Sequence, residues 1–323
     1  MDLLFNDLSI HGQFHDVKKF CEALDCVMEM RKIVKRNGPD DLYWHSSFAT
    51  TRPVNEMPIQ QVVYQGFTHD KNRGFMSWLS TSPYWDDPEI RWHSKDDWIE
   101  HDNHIVTDKA PAEAAIRQHH GSECGLVSLT PSDWKRTPLT MIWCNRGEGL
   151  DNETIDIKNW WKLETLESAL HDLEPSPQSW QEMEERAKGR CDRLDFAENC
   201  FVALNSVPFS RSSAKKALGL FGILNKIANK YDDQGQRTAE GHKIHRDHFQ
   251  GDKAWFSDSS DSEKARYANE LTFNSPDGNL VLCSWHGKIK YPNNPLRFHF
   301  EWPGRRADGR IFVAYIGPKL TKQ

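Results

Sequence analysis

Near the C-terminus, apolar and polar residues alternate with a period of two. In LVLCSWHGKIK (280–290), Cys283, Trp285 and Ile289 share one parity, while Ser284, His286, Lys288 and Lys290 share the other. In LRFHFEW (296–302), Phe298, Phe300 and Trp302 alternate with Arg297, His299 and Glu301. Period two places successive side chains on opposite faces of a strand, so each segment predicts a half-buried β-strand. RIFVAYIG (310–317) is an almost unbroken apolar run and predicts a more fully buried one. YPNNP (291–295) and GRRADG (304–309) carry the glycine, proline and asparagine of turns. The expectation is a three-stranded antiparallel meander, 280–290, 296–302 and 310–316, with aromatics inward and a polar face outward.

Upstream, the pattern changes to helical spacing. Val17, Phe20, Leu24, Val27 and Val34 predict a helix over 16–36, stopped by Asn37-Gly38-Pro39. LLFNDLSI (3–10), GLVSLT (125–130) and LTMIWC (139–144) read as strands. Shorter helices are expected at 57–65, 71–79 and 108–120, the last capped by Asp108 and stopped by Gly121. Further helices are expected at 161–173 and 179–188, divided by EPSPQ, whose prolines forbid a continuous helix. Ser210–Tyr231 gives the longest apolar helix, with Ala214, Leu218, Phe221, Leu224, Ile227 and Ala228 on one face. These elements predict an α+β chain in three parts. They are a mixed α/β domain at 1–160, a helical connector at 161–205, and a C-terminal domain at 206–323 whose helices pack on the antiparallel sheet of 280–316.

Composition narrows the class. The 323 residues are 37% hydrophobic and 27% charged, with a mean hydropathy of -0.74, yet 13 Trp and 16 Phe supply apolar surface for real cores. The longest apolar run, LGLFGIL (218–224), is far short of the ~20 residues a membrane span needs, so no membrane association is expected. MDLLFNDLSIHG lacks the basic start of a signal peptide. Seven cysteines, odd in number and without CxxC spacing, fit reduced thiols in a cytoplasm. Net charge is -6 but unevenly spread: residues 201–323 hold 19 Lys and Arg against 12 Asp and Glu, and the rest of the chain is strongly acidic. A basic back end fits a polyanionic partner; it equally fits docking on the acidic part of the same molecule.

The polar face of the predicted sheet is where this composition permits chemistry. It carries His286, Lys288, Arg297, His299 and Glu301 as candidate catalytic residues, with Lys290, Arg305 and Arg306 at the rim as candidate nucleic-acid contacts. Metal-independent RNA cleavage needs a base for the 2′-hydroxyl, an acid for the leaving oxygen, and cations for the charged phosphorus centre. Histidine or glutamate, histidine, and lysine or arginine fill those roles without a metal or other cofactor. The competing account is an ordinary solvated sheet face with cross-strand pairs such as Lys288 with Glu301. The order helix, LVLCSWHGKIK, LRFHFEW, RIFVAYIGPKL resembles the closing half of RelE/ParE-type toxin modules over roughly residues 210–323. That resemblance implies a small α+β module that cleaves mRNA with Lys, Arg, His and Glu side chains of its sheet. The opening LFNDLSIHGQFHD resembles bacterial proteins of phage-defence and mobile-element type, which implies an antiviral effector but no particular activity for that part.

Several weaker signals complete the sequence. Arg237-x4-His242 has the spacing of HEPN ribonucleases, although that spacing is common by chance, and His242, His245 and His248 recur at i, i+3 and i+6, which surface histidines explain better than a metal site. Asp258, Asp261, Glu263 and Lys264 suggest a metal-dependent DNA nuclease, but a helix start capped by Ser260 or Asp261 accounts for them better. Trp255 and Phe256 are expected as anchors for that loop. His101-Asp102-Asn103-His104 reads as a loop bonding its own backbone, and His119-His120 is a further candidate pair. Trp78, Trp85, Trp92 and Trp98, interleaved with acids, suggest a surface for a partner protein such as an ATPase. A non-catalytic adaptor, or a metal-dependent DNA nuclease, is therefore the alternative to an RNA-cleaving effector. Phosphate-binding glycine loops and nucleophile elbows are absent.

Overall fold

The helical spacing of residues 16–36 produces α1 (Val17–Asn37), whose Phe20, Leu24, Val27 and Val34 are buried. In a computed structural model this helix belongs to the first of two compact units, Met1–Ser176 and Pro177–Gln323. The structure describes all residues except 11–13, 38–40, 82, 87–95, 121, 148, 172–175, 233, 252–253, 292–294, 304–308 and 322–323. Arg305, Arg306, Trp92, the predicted stops at Gly38-Pro39 and Gly121, and most of the two C-terminal turns therefore lie outside the described residues.

The first unit is built on seven strands in the order β2-β1-β5-β7-β6-β3-β4. These are β1 (Asp2–Phe5), β2 (Leu42–Tyr43), β3 (Trp98–His101), β4 (His104–Ile105), β5 (Cys124–Val127), β6 (Leu139–Cys144) and β7 (Glu153–Trp160). β2, β1, β5 and β7 run parallel, and β6, β3 and β4 extend the sheet antiparallel. All four residues of β5 are buried, as expected for a strand in the parallel part of a sheet. α1, α2 (Ile59–Gly66), α3 (His69–Thr81), α4 (Ala110–His119) and α5 (Leu163–His171) complete the unit. Leu3–Ile10 is not one strand. β1 ends at Phe5, where the Asn6 side chain accepts the Leu8 amide at 3.1 Å and opens a short 3-10 turn. Asp108 does not cap α4; Lys109 stands at that position, and Asp7 Oδ1 accepts the Ala110 amide at 2.9 Å instead.

The tryptophan-rich segment is corrected more sharply. Trp78 and Trp85 are 2% and 4% exposed, and Trp78 stacks on Trp44 with ring centroids 3.8 Å apart. Trp78 joins Trp44, Phe5, Phe48 and Phe75 in the core, and the buried Trp85 packs on His45, so neither ring is exposed to a partner. The His101–His104 segment is a tight turn joining β3 to β4, with Asp102 and Asn103 at φ 49° and 63°, the left-handed pair such hairpins require.

The second unit contains α6 (Trp180–Arg190), β8 (Leu194–Phe196), α7 (Arg211–Ala228), α8 (Ala239–Phe249), β9 (Phe256–Ser257), α9 (Asp261–Arg266), β10 (Thr272–Asn274), β11 (Leu280–Leu282), β12 (Trp285–Ile289), β13 (Leu296–Phe300) and β14 (Ile311–Pro318). The predicted meander is present as β12-β13-β14, antiparallel throughout. It is the centre of a five-stranded sheet ordered β8-β14-β13-β12-β9, whose edge strand β8 runs parallel to β14. The expectation of an α+β chain with C-terminal helices on an antiparallel sheet is therefore overturned. The protein is α/β, with a seven-stranded mixed sheet and a second five-stranded sheet, and its C-terminal region consists mainly of strands. The sequence misled because β8, β9 and β10 have only two or three residues each, too few to show a period.

Residues 280–290 also divide into two strands. The Cys283 amide turns aside to Leu271 O at 2.8 Å, and the Ser284 carbonyl accepts from Ser259. β11 consequently pairs with β10 in a separate hairpin, while β12 pairs with β13 and β9. On the apolar face Phe298 and Phe300 are fully buried, with Phe298 4.7 Å from Phe221 of α7. Gly287 lies opposite Phe298, where an added Cβ would come within 2.2 Å of the ring.

Candidate functional site

The strict alternation of β13 places Arg297 and His299 on the face opposite Phe298, and the register of β12 sets His286 across from His299 and Lys288 across from Arg297. Tyr315 of β14 lies across from His299 on the other side, and Gly317 across from Arg297. Four of the five predicted catalytic residues are thus brought together. Glu301 follows just beyond β13: its amide donates to Phe312 O at 2.9 Å, and its charge adds to burial in raising the pKa of the Cys283 thiol. The predicted Lys288–Glu301 pair is replaced by two cations, Lys288 and Arg297, directly opposite each other. Lys290 is exposed at the end of β12, where its carbonyl accepts the Ser213 hydroxyl at 2.8 Å.

The polar face is not the open surface expected from the alternation. His286 and His299 are 6% and 1% exposed. Residues 258–284, comprising α9 and the β10–β11 hairpin, supply groups that meet this face. Phe273 and Val281 of the hairpin pack against Cys283, Phe312 and Ala314, and Phe273 stacks on Tyr315 at 6.4 Å. At the other end Glu263 Oε1 of α9 accepts the Thr321 hydroxyl at 3.0 Å and lies 3.3 Å from Lys319 Nζ. Sequence reasoning does not place these residues at the site. Glu263 is legible as the partner of Ser260 in a capping box, which the structure shows, but its approach to the chain's C-terminal segment is a tertiary event.

Hydrogen bonds define the state of each imidazole. An arginine only donates, so the Arg297 Nη1 contact makes His286 Nε2 an acceptor and leaves its proton on Nδ1, 3.4 Å from Ser284 O. The Ser257 hydroxyl lies 3.2 Å from the same Nε2. His299 Nδ1 donates to Cys283 O at 3.0 Å, so its Nε2 carries a lone pair, and that atom is buried with no partner. Arg297 Nε is likewise buried with no acceptor. Burial, with Arg297 and His299 adding to it, pushes the His286 pKa down to about 3; burial, with Arg297 adding to it, takes His299 to about 4. Both rings are neutral near pH 7. Burial and the neighbouring guanidinium also lower the Lys288 pKa, and burial raises the Tyr315 phenol to about 12.

Other candidates resolve differently. Arg237 precedes α8, so it does not share a helical face with His242. Within α8, His242 is exposed, His245 stacks on Phe249 and Trp302, and His248 is fully buried against Trp255. Asp258 and Asp261 both pair with Lys264, at 2.6 and 3.4 Å, and Trp255 and Phe256 are buried as anchors. His119 pairs with Glu153, which also holds Arg146. Among the described residues no group of three His, Cys, Asp or Glu side chains is placed to hold a metal ion.

In the first unit, chain order reverses between β1 and β5, the place where open α/β sheets commonly bind ligands. Here it holds a closed polar network. Asn6 Nδ2 donates to Ser128 Oγ, which donates to Asn159 Oδ1, and Ser9 Oγ bonds Asn6 O while receiving the Leu129 amide. Every member is buried and satisfied by the chain itself, so the network fixes the strand ends.

No family model matches the chain, and no curated protein or solved structure matches it. Among the described residues no helix is long and apolar enough to cross a membrane.

Proposed function

We propose that the second unit is a metal-independent RNA-cleaving module and that the polar face of β12 and β13 is its active face. The reading is supported above all by the pair of unsatisfied atoms, His299 Nε2 and Arg297 Nε, two positions apart on the same side of one strand. Buried polar atoms without partners are rare in folded proteins, and a base lone pair beside a guanidinium donor matches what 2′-hydroxyl attack on a phosphodiester requires. In this reading His299 takes the hydroxyl proton through Nε2 and Arg297 holds the phosphoryl oxygens. Lys288, exposed and with a lowered pKa, protonates the leaving oxygen, while His286 positions Arg297. The resemblance to RelE/ParE-type modules points the same way, as does the basic charge of residues 201–323. A role in bacterial anti-phage defence is the wider setting this implies.

His299 is covered, so cleavage requires that residues 258–284 move from the face. Their movement also rehydrates the imidazole and returns its pKa toward the ordinary range, where it is a stronger base. The test is cleavage of a fluorogenic oligoribonucleotide by the intact chain in EDTA. His299→Ala is expected to lower the rate at least about 100-fold, and Arg297→Ala by a similar factor. Cleavage unchanged in both variants would remove the sheet face from consideration. A non-catalytic adaptor is the less supported alternative, because Trp78 and Trp85 of its supposed docking surface are core residues.

A further inference from the structure

Lys288 and Arg297 face each other directly across the β12–β13 ladder, an arrangement that normally weakens a sheet. Lys319 adds a third cation, two residues beyond Gly317, which is itself paired with Arg297. Glu263 answers this cluster: it contacts Lys319 and Thr321, and its charge also acts on Arg297 and His299. Two neighbouring carboxylates are committed elsewhere: Asp258 accepts from Ser284 Oγ and Lys264, and Asp261 pairs with Lys264. Partial burial alone would raise the Glu263 pKa, but Thr321, Lys319 and the Ser260 amide outweigh it and hold the carboxyl below its usual range.

We infer that Glu263 stands in for a phosphate. Arg297, Lys319 and Thr321 form a donor site for a phosphate group beside His299, and α9 delivers an internal anion that competes for it. A tetrahedral phosphate offers more acceptor atoms than a carboxylate, so it satisfies Arg297 Nε, which Glu263 leaves unpaired. The inference rests on the RNA-cleavage reading only for the fate of a phosphodiester once it is seated. As a binding site it stands on this geometry alone. Ligand and covering segment are mutually exclusive, so phosphate binding and uncovering of His299 are the same event.

The experiment titrates the full chain with inorganic phosphate and, separately, with uridine 3′-monophosphate, reading affinity by calorimetry. Glu263→Gln keeps the capping box, since glutamine serves at that position, and removes only the charge. It is expected to tighten binding of one or both probes about two- to fivefold over wild type, the scale of one partly exposed charge contact. A gain confined to the nucleotide assigns the site to RNA, whereas equal gains assign it to phosphate as such. Lys319→Ala in the Glu263→Gln background is expected to abolish the gain. Equal affinity of Glu263→Gln and wild type, no measurable binding by either, or a gain that survives loss of Lys319 overturns the inference. Tighter phosphate binding without RNA cleavage would leave the site standing and defeat the cleavage reading; cleavage without a Glu263 effect would do the reverse.

Discussion

Phe298→Ala is expected to destabilise the second unit by about 3–5 kcal/mol, the range for removing a fully buried phenylalanine from a packed core. The ring is 0% exposed and has aromatic neighbours on three sides, Phe221 of α7 at 4.7 Å, Phe256 of β9 at 6.1 Å and Phe300 at 5.7 Å. It also fills the space over Gly287, so its loss opens a cavity between the central strands. Urea unfolding with fluorescence detection measures the effect. Phe298→Leu, which keeps most of the volume, is expected to recover a large part of the loss. A Phe298→Ala cost below about 1 kcal/mol would mean that the aromatic face of β13 is not core.

The second large effect is a loss of stability in mild acid. His286 and His299 have folded-state pKa values of about 3 and about 4, below the ordinary histidine value near 6.5 that the unfolded chain recovers. Their contribution is complete above that unfolded value and declines as the pH falls from it toward the folded values, because there the unfolded chain binds protons that the native rings refuse. Each ring contributes a slope of roughly 1 kcal/mol per pH unit, so the pair removes about 3–4 kcal/mol between pH 6.5 and pH 5. Denaturant unfolding at both pH values, compared with the His286→Gln/His299→Gln double variant, isolates these rings from every other titrating group. The variant is expected to lose most of that pH dependence. An unchanged slope would show that the two rings are not held neutral.

The sheet around these residues is legible in the sequence to different depths. β13 is readable because a buried aromatic row and a polar row alternate through it without exception, and β6 because its apolar run is bounded by turn residues. β7 obeys the same rule, with Ile155 and Ile157 buried between Thr154, Asp156 and Lys158, yet the expectation for 1–160 does not single it out. Parity tells which side chains of β12 and β13 share a face, but not whether that face meets water. What covers it is a serine- and acid-rich segment that reads locally as a solvated helix start. Its place is set by tertiary contacts, those of Glu263 with Lys319 and Thr321 and of Phe273 with Tyr315. The bulge in β14 is illegible for a related reason: Phe300 pairs with Val313 after His299 has paired with Tyr315, and nothing in the unbroken apolar run of β14 announces the extra residue.

Attack by the 2′-hydroxyl, with His299 as base and Arg297 on the phosphoryl oxygens, leaves a chemical signature on its products. The most direct measurement is the chemistry of the ends left on a defined oligoribonucleotide by the intact chain in EDTA, beside the same oligonucleotide with 2′-deoxy substitutions. The expected products are 2′,3′-cyclic phosphate and 5′-hydroxyl ends from the RNA, with no product where the 2′-hydroxyl is missing. Cleavage of the deoxy-substituted strand, ends of the opposite polarity, or an intact RNA even with the Glu263→Gln chain would contradict an RNA-cleaving role for this face.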